Sequence, residues 1–135
     1  MTLAEKFGGH DVDRAGFEAM VTEVQRLLAP FEAEHRFAER IRHGNVHFLG
    51  TSGTVTTVAG IMLNLARYDR NRVDGCWLAA DDVRRVTYDL VDKSYEERVA
   101  QPCIGKDRAD LVLAGCAILE ALMRSVSDQM RTVQS

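Results

Sequence analysis

The apolar positions of this chain fall into helical stripes separated by glycine-rich and charged breaks. From about Asp13, the residues Phe17, Met20, Val21, Val24, Leu27 and Leu28 recur at three- and four-residue steps. That spacing gathers side chains on one side of a helix. Asp11 or Asp13 can cap it, since a short acceptor there meets the first unpaired amides. Pro30 has no backbone N–H, so it is expected to end this helix or to open the next. A second helix is expected over Glu32–His43, with Phe37, Ala38 and Ile41 inward and Gly44 just beyond its end. Its outer face carries Arg36, Arg40, Arg42 and His43, which reads as a solvated face where the helix dipole favours cations. The opening stretch, MTLAEKFGG, is short and mixed, and reads as the tail of a strand.

Further on, Asn45–Leu49 (NVHFL) reads as a short buried strand. It runs into Gly50-Thr51-Ser52-Gly53-Thr54, and then into a helix over Val55–Leu65 with Val58, Ile61, Met62 and Leu65 at helical spacing. Arg67–Gly75 reads as a polar loop and Cys76–Leu78 as a second strand. Asp81–Lys93 reads as a helix with Val83, Val86, Leu90 and Val91 inward, and Tyr95–Ala100 as a helical turn. Asp107–Arg124 reads as one long apolar helix, on which Ala114 and Gly115 suggest close packing against another element. The polar tail, Ser125–Ser135, is expected to fray. The expected class is α/β, mostly helical with a small sheet, in one domain. It comprises a helical lead-in (1–44), a strand–loop–helix unit (45–66), a helical part (67–124) and the tail (125–135).

Composition narrows the possibilities. The chain has 135 residues, 46% of them apolar, enough for one buried core. Its 17 basic and 20 acidic residues leave a net charge of −3, without the basic stripe that nucleic-acid binding calls for. The longest apolar run, Leu111–Leu119, is half of what a bilayer needs, and the N-terminus has no apolar signal-peptide core. Cys76, Cys103 and Cys116 are odd in number and far apart, which fits a reducing compartment and a cytoplasmic location. His43 and His47 are interrupted by Gly44, and no CxxC or HExxH occurs, so no metal ligands are assigned.

Candidate chemistry centres on the glycine turn. A strand-to-helix turn leaves backbone N–H groups without partners, and the helix dipole adds positive charge there. Gly50 and Gly53 let a ligand approach the backbone, and hydroxyls on Thr51, Ser52, Thr54, Thr56 and Thr57 add donors. Together these make a phosphate cradle. It is neither a Walker A loop, since no Lys follows, nor GxGxxG. Equally, Ser/Thr caps beside glycine turns occur in proteins that bind nothing. Ser52 as a nucleophile has less support, because the frame is GTSGT and no His is placed beside it. A second candidate is Lys106 with Arg108, at the expected start of the long helix. The dipole disfavours cations there, so an anion could hold them; alternatively both are solvated, with Asp107 and Asp110 compensating.

Three ordered blocks resemble the exopolyphosphatase / guanosine pentaphosphate phosphatase (Ppx/GppA) family. They are FLGTSGTVTTVAGIML (48–63), YDRNRVDG (68–75) and YEERVAQPCIGKDRADLVLAGCAILEAL (95–122). The resemblance implies an actin-like ATPase (ribonuclease H-like) fold with two related domains around a cleft. It implies that Gly50, Thr51, Ser52, Gly53 and Thr54 are the phosphate loop of the second domain, contacting phosphoryl oxygens or a bound metal. It further implies hydrolysis of the terminal phosphate of polyphosphate or guanosine pentaphosphate, with Mg²⁺, and a first-domain glutamate that positions water. No Asp-x-Gly-Ser start and no Gly-Gly-Gly-Ser-Thr-Glu loop is present, and the arginine- and glycine-rich segment beyond the long helix is missing too. The chain is therefore expected to be a piece of the second domain, as a fragment or a short paralogue. No catalytic residue is assigned, since Asp69, Asp74 and Glu120 all have ordinary structural readings. The expected partners are the remainder of the enzyme or a second copy. The alternatives are a non-catalytic phosphate-binding or regulatory module, and a plain helical interaction module.

Overall fold

The computed structural model describes residues 1–44, 46–126 and 131–135. The opening stretch is a helix, α1 (Leu3–Phe7), and not a strand tail. Thr2 and Glu5 form a reciprocal capping box that starts it. So short a helix is marginal alone. Lys6 anchors it to Glu23 of α2 (Arg14–His35) at 2.7 Å.

Asp13 caps α2, its Oδ1 accepting from Gly16 N at 2.8 Å. Phe17, Met20 and Val21 are fully buried, as the stripe requires, whereas Leu27 is exposed. Pro30 does not end α2 but lies inside it. Its missing N–H leaves only the Arg26 carbonyl short of a helical partner, and both residues are exposed, so water can serve it. The break comes at Arg36, which turns left-handed (φ 52°). The Glu32 carboxylate then accepts from Ala38 N at 3.1 Å, which opens α3 (Phe37–His43). The second helix thus starts at Phe37 and not at Glu32, and none of its residues is buried. Gly44 ends it in extended backbone.

β1 is only Phe48–Leu49; Asn45 lies outside the described residues. It is not a buried strand, since Leu49 is 55% exposed. α4 (Gly53–Met62) begins inside the glycine turn, two residues before Val55, and stops before Leu65. The expected polar loop contains α5 (Arg70–Val73), capped by Asp69 and pinned by the fully buried Val73. β2 (Trp77–Ala79), α6 (Ala80–Asp92) and α7 (Tyr95–Ala100) follow close to expectation. The expected long helix is two pieces, α8 (Lys106–Ala109) and α9 (Val112–Ser125), with a corner at Asp110–Leu111. Gly9 of the N-terminal loop packs so closely on the Asp110 main chain there that any Cβ would collide.

The tail does not fray as a whole. Thr132–Gln134 forms β3, the middle strand of the order β1-β3-β2, and Val133 is 2% exposed. Residues 127–130 lie outside the described residues. β3 runs parallel to β1, with Phe48 opposite Val133, and antiparallel to β2, with Leu78 opposite Val133. A three-residue strand with one apolar residue, Val133, is a weak signal in sequence. Here backbone pairing on both sides supplies what side-chain pattern does not.

α2 packs along α9, and Leu113, Cys116, Ala117 and Ala121 are fully buried. A polar clamp joins these helices to α6. Arg124 donates to both Glu18 oxygens at 2.9 Å and to Glu120 at 2.8 Å, and Tyr88 donates to Glu18. Arg84 reaches Glu120 from the other side at 3.3 Å. Among the described residues no helix is long and apolar enough to cross a membrane. The three cysteines are free, and burial pushes Cys116 up to about 11.

The hydrogen bonds from Arg124 and Tyr88 hold the Glu18 carboxyl below the usual carboxylate range. A lowered folded-state pKa stabilises the fold above the unfolded value, about 4.3, and that contribution fades as pH falls through the folded value. Urea midpoints are therefore expected to drop between neutral pH and strongly acidic pH, and the drop is expected to be smaller in Glu18→Gln.

Candidate functional site

The turn between β1 and α4 folds back tightly. A Cβ at Gly50 would collide with the Val55 side chain of α4's first turn, so the residue is glycine for close approach. The Gly50 amide donates to Gln134 O of β3 at 2.8 Å. That amide belongs to the sheet and is not available to a ligand, which corrects the expectation for Gly50.

The remaining amides differ. Ser52 is the N-cap of α4, but its side chain makes no capping bond. The N–H groups of Thr51, Ser52, Gly53, Thr54 and Val55 have no acceptor among the described residues. Unpaired amides at a helix start, with the dipole behind them, attract an anion. The hydroxyls do not all point there. Thr56 donates to Gly53 O at 3.2 Å, and Thr54 Oγ1 sits against Gly115 of α9, where a Cβ could not fit. Thr54 therefore offers its amide and not its hydroxyl. Thr51 and Ser52 stay exposed.

The second candidate comes to the same place. Arg108, on α8, brings Nη1 to 3.5 Å from the hydroxyl of the buried Thr57. A Cβ on Gly53 would stand 3.4 Å from that Nη1, so the guanidinium lies over the first turn of α4. Its far side faces the Tyr68 ring, 6.0 Å from the centroid. Gly53, Thr54, Thr57, Arg108, Leu111 and Val112 line a cleft of about 210 Å³. The two candidate sites read separately from sequence are thus one. Lys106 is exposed and does not line this cleft. Neither cation stands at the start of a long helix; both are on the short α8.

Among the described residues no carboxylate and no imidazole lines the cleft. Asp69 caps α5, Asp74 pairs with Arg70 at 3.1 Å, and Glu120 belongs to the helix clamp. Mg²⁺ takes oxygen ligands, chiefly carboxylates. A cleft whose one charged group is a guanidinium does not fit it, and no metal-holding cluster of His, Cys, Asp or Glu occurs among the described residues. Any Mg²⁺ at this loop needs ligands from elsewhere. Sequence reading passed over the placing of Thr57 beneath Arg108. The signal was present, because Thr57 lies one helical turn after Thr54 on the same side. Tyr68 gave no such signal.

No family model matches the sequence, and no curated protein matches it. Solved structures match by fold. An exopolyphosphatase-like protein superposes with a TM-score of 0.83 at 20% identity, over 98% of this chain and 42% of that one. A Ppx/GppA family member from Aquifex aeolicus gives 0.74 at 19% identity, over 98% and 41%. An exopolyphosphatase from Cytophaga hutchinsonii gives 0.66 at 22% identity, over 93% and 39%. The chain therefore has the fold seen in part of the Ppx/GppA structures, an actin-like ATPase architecture, and spans about two fifths of their length.

Gly115 lets α9 approach the start of α4. Gly115→Ala puts a methyl group into the space of Thr54 Oγ1 and is expected to cost about 1–3 kcal/mol in urea unfolding.

Proposed function

We propose that this chain is the second-domain portion of a Ppx/GppA-type phosphohydrolase, the portion that grips the terminal phosphoryl group of the substrate. The observation that carries this reading is the run of unpaired amides from Thr51 to Val55 beside the Arg108 guanidinium. Backbone N–H groups at a helix start bind phosphoryl oxygens, and a guanidinium adds charge-assisted hydrogen bonds to the same oxygens. Polyphosphate and guanosine pentaphosphate both present such a group, and both are substrates this loop suits.

The chain's own residues would bind and orient that phosphoryl group and offset its charge from one side. Phosphoryl transfer draws on positioning and charge from several sides, with a group to orient the attacking water. Among the described residues the cleft supplies no acid for that role. The rest of the machinery would come from a partner: the remainder of a longer enzyme or, failing that, a second copy of this chain. Surface composition supports a partner. Phe31 and Phe37 are exposed on a groove of about 450 Å³ whose walls include Leu28, Ile41, Phe48 and Leu122, and Leu49 and Trp77 are exposed as well. Exposed apolar surface of that kind marks an interface. The odd, well-separated cysteines support a cytoplasmic setting. The lack of a carboxylate among the described residues of the cleft also suits a non-catalytic phosphate-binding module, the second reading.

Calorimetric titration with tripolyphosphate tests the grip. Gly53→Val crowds the guanidinium and Arg108→Gln removes its charge, and each is expected to weaken binding at least about tenfold. Unchanged affinity in both variants would remove the loop from consideration. The purified chain with Mg²⁺ is expected to release no phosphate from tripolyphosphate, as measured by colorimetric assay. Robust release would show that the chain holds a water-orienting group of its own.

A further inference from the structure

Arg108 reaches the cleft from a short turn that the fully buried Ala109 pins to the core. α8 has four residues and ends at Asp110. The N-terminal loop is packed against that end. Gly9 lies against the Asp110 main chain, and His10 brings Nε2 to 3.0 Å from Asp110 Oδ1. The imidazole is stacked on Tyr95, with ring centroids 3.8 Å apart and planes 13° apart. Behind it the buried Arg98 donates to the carbonyls of Gly9 and His10 on one side, and to those of Leu90 and Lys93 on the other. His10 is thus held by its own backbone and by stacking, and its polar contact is Asp110.

We propose that His10 is a positioning residue for the Arg108 site: it clasps Asp110, and the charge on its imidazole sets how firmly the turn carrying Arg108 is held over α4. The inference rests on the anion-binding reading of that cleft. An imidazole is the side chain that changes charge between about pH 5 and 8. Protonated, it gives Asp110 a charge-assisted hydrogen bond; neutral, it gives an ordinary one. The surrounding charges are few. Asp11 is on the same segment, Arg98 and Glu96 are on α7, and Lys93 follows α6. Asp92 is taken up by Arg14 at 2.8 and 2.7 Å. Asp13 lies on the same rim, Tyr95 also donates to the Asp110 carboxylate, and Asp110 is the charge in contact with the imidazole. Protonation therefore tightens the clasp. Both partners are about half exposed, 56% and 51%, so the effect is modest.

Sulfate is the probe, because it stays a dianion over this range. Its affinity is expected to rise about threefold from about pH 8 to about pH 5.5. His10→Gln and Asp110→Asn are expected to remove that dependence and leave affinity near the high-pH value, whereas Arg108→Gln loses binding throughout. A second readout needs no anion. In ¹⁵N spectra of the free chain, the Arg108 amide is expected to titrate with the His10 midpoint and to stop doing so in His10→Gln. If sulfate fails to bind at any pH while the amide still follows His10, the anion reading falls and the clasp remains. If the amide ignores His10, or if His10→Gln keeps the full pH dependence of binding, the proposal is overturned.

Discussion

α4 and α9 meet where neither presents a bulky side chain. The backbone of α9 at Gly115 lies against the Thr54 hydroxyl, and any Cβ would force the helices apart. That approach sets where the first turn of α4 stands relative to the α8–α9 corner. It is why Leu111 and Val112 wall one side of a cleft whose floor is Gly53 and Thr57. Packing at one glycine thus decides whether a helix start and a distant arginine line one cleft or point apart. Protein interiors yield little to such a collision.

What the cleft can do follows from what lines it. Among the described residues its donors are main-chain amides and a guanidinium, with no carboxylate. Such a lining favours an anion over a divalent cation. The fold is shared with about two fifths of much longer solved structures.

The supports around the site are polar and long-range. Arg98 ties the N-terminal loop to the end of α6 through four carbonyl contacts. Arg124 and Glu120 tie α2, α6 and α9 together through paired charges. Only Glu120 of this cluster is buried; Glu18, Arg84 and Arg124 are partly exposed, so the pairs add less to net stability than to the choice of one arrangement of α2, α6 and α9. The short β1 and the groove beside it leave apolar surface in water, which is where the partner reading finds its support.

Local physics was enough for much of this. The stripe from Phe17 to Val24, the turn from Gly50 to Thr54 leading into a helix, the span Tyr95–Ala100, and close packing at Gly115 all follow from periodicity, caps and the missing Cβ. Pro30 and the tail misled, because a proline on a solvated face and a strand with one apolar residue are settled by surroundings and not by their own residues. The break at Asp110 was equally hidden, since it comes from the N-terminal loop crossing there. Residue type and spacing thus determined that the chain has an amide-rich turn and an unexplained pair of cations. Only the tertiary structure chose Arg108 over Lys106 and withdrew the Gly50 amide into the sheet. Those outcomes depend on contacts between segments tens of residues apart, and no local pattern encodes which of them form.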